Sequence, residues 1–159
     1  MHPLDIALAK SGGPFSASEA GTRSVAASDV QAVLPSRRTT RAIAIDQPLT
    51  PGEILPIAGG IEVIHTPGHC AGQVALLWRP GRMLFAGSVC MNVMGLGDPV
   101  GFESLKEGRA SQRKVASLAF DAAGFGNGEP IVRDPSTRFR KLRDHYPPQT
   151  NILKSRRRG

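Results

Sequence analysis

An α/β fold is the class this sequence predicts, and three observations carry the prediction. Between residues 41 and 87 the apolar residues fall into short alternating or β-branched runs, each bounded by Pro or Gly. From 103 to 120 the pattern changes: Leu105, Val115, Leu118 and Ala119 recur among charged residues, as on one side of an amphipathic helix. After another short apolar segment, Phe139, Leu142 and Tyr146 repeat the helical spacing.

Taken in order, "PLDIALAK" at 3–10 predicts a short helix that "SGG" stops. The Ala-rich stretch 16–34 predicts a helix with breaks, and "PSRRTTR" a loop. Strands are expected within 41–46, 52–60, 61–65, 72–78 and 82–87, with "RPGR" at 79–82 as a hairpin turn. Glycines 95, 97 and 101 mark an irregular loop, and Gly108 weakens the helix that follows. A short strand is expected around 120–124. Asp134-Pro135 then has the form of an N-cap and first helical residue, and Pro147-Pro148 ends that helix.

The chain has 159 residues, the length of one domain. With 40% hydrophobic but only 5% aromatic residues, and with 18 Gly and 13 Pro, it predicts a loop-rich fold with a lean core. Two cysteines and the lack of a basic segment leading into an apolar run at the start speak against a disulfide scaffold and a secretory signal, so the cytoplasm is the expected location. No apolar run is long enough for a membrane span. The net charge of +7 is unevenly placed: residues 1–132 hold 11 Lys/Arg and 11 Asp/Glu, whereas 133–159 hold 9 and 2. A domain at 1–146 followed by a basic, disordered tail at 147–159 is the expected organisation.

Three segments, "PLTPGEILPIAGGIEVIHTPGHCAGQVALL", "MLFAGSVCMN" and "SLAFDAAGFGNGEPI", together resemble the metallo-β-lactamase superfamily, in particular its glyoxalase II-like hydrolases. The likeness runs from about 42 to 146 and rests on Thr66-Pro67-Gly68-His69 with Gly72, joined to the Leu-Phe-Ala-Gly strand end. It implies part of a four-layer αβ/βα sandwich with mixed β-sheets, the early strands missing, and a metal site where strand-end loops converge. In active members zinc, held by imidazoles and carboxylates, generates a hydroxide that attacks an ester, thioester, lactone or lactam carbonyl.

The resemblance assigns His69 as a metal ligand, with His2 in "MHPLDI" as a second candidate in a shortened first motif; a one-residue slip makes Asp5 that motif's aspartate. Two other ligand positions are degenerate. Ser88 stands where the family has a bridging aspartate, and Asn127 where it has a histidine. A neutral hydroxyl and an amide are poor zinc donors, so zinc is expected to be absent or weakly held and no catalytic residue is assigned. A small acyl substrate is the partner implied if activity remains.

Other chemistries find less support. His65 and His69 lie four apart, but Pro67-Gly68 prevents a helical zinc pair. Ser88 with His69 lacks the G-x-S-x-G elbow of a Ser/His hydrolase. Cys70 and Cys90 read as small packing residues, "GLGDPVG" lacks the lysine of a phosphate loop, and the arginines 156–158 lack the aromatics of a single-strand binder. Nucleic acid is therefore not the expected partner. Missing early strands would leave sheet edges and apolar faces open to self-association.

Overall fold

The computed structural model describes residues 1–11, 19–20 and 41–145. Most of the helix expected within 16–34, the 35–40 loop and the 147–159 tail lie outside the described residues. In chain order the elements are α1 (Pro3–Ser11), β1 (Glu19–Ala20), β2 (Ile54–Leu55), β3 (Ile61–His65), β4 (Val74–Trp78), β5 (Met83–Phe85), β6 (Met91–Asn92), β7 (Leu96–Gly97), β8 (Gly101–Phe102), α2 (Leu105–Ala116), β9 (Ala122–Gly124) and α3 (Pro135–His145).

One mixed sheet organises them, in the order β2-β3-β4-β5-β9. The first three pairings are antiparallel and β5 with β9 is parallel. Opposite residues share a face, so the register Ile64↔Ala75, Leu77↔Leu84 and Leu84↔Ala123 lines up one apolar side. That side buries Ile64, Ala75, Leu77, Leu84 and Ala123 against Val115 and Ala116 of α2, Phe120, and Phe139 of α3. The Phe139 ring meets Phe120 edge-on at 5.2 Å and lies nearly parallel to Phe125 at 6.0 Å, so few aromatics fill this core. On the opposite side Val63 is buried, but Leu76, Trp78 and Met83 are half-buried and Phe85 is exposed. Among the described residues the architecture is thus a five-stranded sheet with α2 and α3 on one face, joined by two two-stranded ladders, β1-β8 and β6-β7, and is part of the α/β sandwich expected.

Several elements are shorter than the sequence predicts. No strand forms at 41–46; Ile43 N–H instead donates to Ala9 carbonyl (3.1 Å) and Leu49 N–H to Met1 carbonyl (2.7 Å), so this segment runs along α1 rather than in a ladder. The strand expected at 52–60 shrinks to two residues, since Pro56 lacks the next donor and Ala58, Gly59 and Gly60 all take positive φ. Helix α2 stops at Ala116, where the Ser117 hydroxyl and N–H turn back on the Lys114 carbonyl. Its start is capped by Ser104, whose Oγ accepts Glu107 N–H. The glycine-marked loop contains the two-residue ribbon β6-β7. The hairpin turn is as expected, with Arg82 N–H donating to Arg79 carbonyl at 3.1 Å, and α3 begins at Pro135 with the Asp134 carbonyl accepting Arg138 N–H.

Candidate functional site

Strands β3, β5 and β9 run the same way, so the loops following them open at one edge of the sheet. His69 lies in the loop after β3, Ser88 after β5 and Asn127 after β9. The topology therefore brings three of the four sequence-assigned positions to one edge, and α1 carries His2 to the same corner.

The corner at 66–73 is held through most of its backbone polar groups. Thr66 N–H donates to Gln73 carbonyl at 2.9 Å, and Ser104 N–H to Gly68 carbonyl at 3.0 Å. Ser111 Oγ donates to Pro67 carbonyl at 2.7 Å, and Lys114 Nζ to His65 carbonyl at 2.9 Å. Two carboxylates take two further amides: Glu103 Oε2 accepts Ala71 N–H (2.9 Å) and Asp5 Oδ1 accepts Gly72 N–H (2.8 Å). Gly68, at φ 138°, allows the corner to lie directly against α2.

Each imidazole has a definite role. His69 Nδ1 sits 2.7 Å from the Gly101 carbonyl, which accepts only from a protonated nitrogen, so the lone pair lies at Nε2. A carbonyl on the far nitrogen is how metal-bound imidazoles are commonly oriented. His65 Nε2 donates in the same way to Ala71 carbonyl at 2.9 Å. His2 is buried and stacks on His65, with centroids 4.2 Å apart and rings 3° from parallel. Its Nδ1 accepts Leu4 N–H at 3.3 Å, which engages that lone pair at the start of α1. Burial first, and then the neighbouring His65, hold His2 below the ordinary histidine range.

Ser88 lies in a turn after β5 whose N–H groups are already answered. With its carboxamide oxygen facing these donors, Gln73 accepts from Ser88 N–H at 2.7 Å and Val89 N–H at 3.1 Å. Asn127 uses its carbonyl to accept Asn92 N–H at 3.0 Å, and Gly126 N–H reaches Gly87 carbonyl at 2.8 Å, tying the β5 and β9 loops together. Gln73 and Glu103 carry no motif signal in the sequence; their roles come from spatial closeness. Cys70 donates its thiol to Asp5 Oδ2 at 3.4 Å, and its pKa is pushed up to about 12 by burial and then by Asp5. Cys90 is fully buried in the core, which also raises it. Neither is a thiolate near neutrality.

No known protein-family model matches the sequence. The fold has clear relatives among solved structures. A metallo-β-lactamase family protein from Thermus thermophilus superposes with a TM-score of 0.55 and 25% identity over 79% of this chain and 41% of its own. The B3 metallo-β-lactamase BLEG-1 gives 0.51 and 28%, over 65% of this chain and 51% of its own. The fold is that of part of a metallo-β-lactamase superfamily structure. A third structure, of a protein in a di-iron-bound form, gives a TM-score of 0.54 at 22% identity over 89% of this chain and 61% of its own, and supports the fold alone. Against these three, the chain spans 41 to 61% of their lengths.

A superfamily metal site needs several convergent N, O or S donors. Among the described residues no group of three or more His, Cys, Asp or Glu side chains is placed to hold a metal ion. Ser88 and Asn127 add no charge, Asp5 is engaged with Gly72 and Cys70, and His2 has its Nδ1 occupied. Among the described residues, the donors at this edge do not fit the family's metal. No described helix is long and apolar enough to cross a membrane.

Proposed function

We propose that this chain is a metallo-β-lactamase-superfamily hydrolase homologue of glyoxalase II-like ancestry in which catalysis is impaired or lost. The ancestral reaction is zinc-hydroxide hydrolysis of an ester, thioester, lactone or lactam, and His69 is the position that keeps a ligand's identity and ring orientation. One observation carries the reading. The three loop ends that meet at the sheet edge offer an imidazole, a hydroxyl and an amide, and the neighbouring carboxylates serve backbone amides instead. His2 is the second ligand position in this reading, now serving to dock α1 through its ring stack. Two thiols outside any disulfide favour a cytoplasmic setting.

Elemental analysis of protein purified without chelator tests this. Sub-stoichiometric zinc and no turnover of thioesters or lactones are expected. Zinc approaching one ion per chain, with hydrolysis abolished by chelator, would overturn the proposal. A second reading, a non-catalytic binding protein, is favoured by the half-exposed sheet side around Met83 and Phe85. Concentration-dependent self-association in sedimentation is the expected behaviour of that face.

A further inference from the structure

Helix α3 carries a positive face that its own fold does not neutralise. Pro135 and Phe139 are buried and Leu142 is half-buried against the core, which fixes the rotation of the helix. That rotation leaves Arg138, Arg140 and Lys141 exposed, with Arg133 just before the helix. On the sheet, by contrast, Arg79 pairs with Glu62 and Arg82 with Asp121. Within α3, Arg143 pairs with Asp144. Among the described residues, the ion pairs include none to Arg133, Arg138, Arg140 or Lys141; Arg140 donates to the Thr137 hydroxyl at 3.1 Å.

We propose that this face is a binding surface for the phosphate backbone of a nucleic-acid duplex. Three features select that partner. Residues 133–145 hold 5 Lys/Arg against 2 Asp/Glu, whereas 1–132 are balanced at 11 and 11, so the attraction is local to this helix. The apolar residues of α3 are committed to the core, so the helix has no apolar side to insert into a lipid surface. Its exposed side chains, Thr137, Arg138, Arg140, Lys141, Asp144 and His145, include no Phe, Tyr or Trp on which unpaired bases would stack, which favours a duplex over a single strand. Eleven residues of helix extend about 16 Å, alongside roughly nine or ten phosphate charges of a duplex. Guanidinium groups suit bidentate phosphate contacts, and contacts to the backbone carry no sequence preference.

Fluorescence anisotropy with a mixed-sequence DNA duplex, titrated over a range of salt, tests the proposal on the full chain. Four phosphate contacts predict a slope of log K against log salt of about −3.6, falling to about half in R138Q/K141Q. That variant should bind at least about tenfold more weakly in low salt, with an unchanged circular dichroism spectrum because both positions are exposed. A second variant lacking residues 149–159 separates α3 from the basic chain end. If removing 149–159 abolishes binding while R138Q/K141Q binds as the parent does, the proposal is overturned. Anionic phospholipid vesicles bound as tightly as duplex, with the same sensitivity to R138Q/K141Q, would also overturn it, as would the absence of any duplex binding.

Discussion

Gly68 and Gly108 meet backbone to backbone: a Cβ built on Gly68 would lie 2.3 Å from both Cα and N of Gly108. A Cβ on Gly108 would in turn lie 2.3 Å from the Phe102 ring. The two glycines let α2 press against the corner that carries His69, and the Ser104 N–H to Gly68 carbonyl bond closes the contact. Gly68→Ala combines an unfavourable φ with a clash against main chain that cannot swing away. A loss of about 3 kcal/mol or more is expected. Urea unfolding followed by circular dichroism measures it, and a change under about 0.5 kcal/mol would contradict the close contact.

Asp5 and Gly72 form the second clamp. A Cβ on Gly72 would meet the Asp5 carboxylate at 2.3 to 2.6 Å, and that carboxylate is the flexible end of a side chain. Asp5→Ala removes a charge-assisted bond at a half-buried place, costing about 1–2 kcal/mol. Gly72→Ala should cost less in the Asp5→Ala background than alone, because the obstructing group is gone. A double-mutant cycle from denaturation midpoints reads the coupling, and strict additivity would refute it.

Inside the fold, Arg109 grips Asp98 through both terminal nitrogens, and Gln112 binds Asp98 at 3.0 Å and the Val89 carbonyl at 3.1 Å. Only 13% of the Arg109 and 10% of the Asp98 side chain is exposed, so removing one partner leaves a charge largely out of water. Asp98→Ala is expected to cost about 3–5 kcal/mol. Thermal unfolding compared with Glu62→Ala, which breaks an exposed pair, should separate the two by several degrees.

The His2 and His65 stack makes the docking of α1 sensitive to acid. His2 has its pKa lowered in the fold, so the unfolded chain binds more protons as the pH falls through about 6.5. The contribution is complete above that value and is lost as the pH drops through the folded pKa. Amide exchange in residues 3–11 should therefore speed up in acid relative to exchange in β4. His2→Phe, which keeps a ring and has no proton to gain, should flatten that difference.

Restoring the two degenerate positions asks whether the sheet edge still has the geometry for metal. S88D/N127H adds a carboxylate and an imidazole beside His69, and zinc retention should rise above that of the parent chain. If Gln73 continues to hold the Ser88 and Val89 amides, the turn keeps its shape in the variant. Isothermal titration with zinc measures the gain, and equal retention by both chains would argue that the loop ends do not converge.

Much of the architecture was legible because it is local. The β-branched run Ile61, Val63, Ile64 and the alternation Ala75, Leu77 gave β3 and β4, Pro-Gly gave the turn at 79–82, and Phe139 with Leu142 gave the buried side of α3. The 41–46 segment misled because Ile43 and its neighbours alternate as a strand does, while their hydrogen bonds go to α1. Gly108 looked like a weakness of α2 when read alone; its reason is the contact with Gly68, 40 positions earlier. At the site, His69, Ser88 and Asn127 could be placed from motif order. The partners that orient them, the Gly101 carbonyl, Glu103 and Gln73, are fixed by spatial neighbours with no spacing rule, and so were not readable.

The corner around His69 consequently has two separate reasons to exist. Its glycines, its bond to Gly101 and its clasp on α2 are needed for the polypeptide to close on itself, whether or not any substrate is ever turned over. A lineage that ceased to hydrolyse anything would still be under pressure to keep Thr-Pro-Gly-His intact, and this signature is a record of how the chain packs before it is a record of what the chain does.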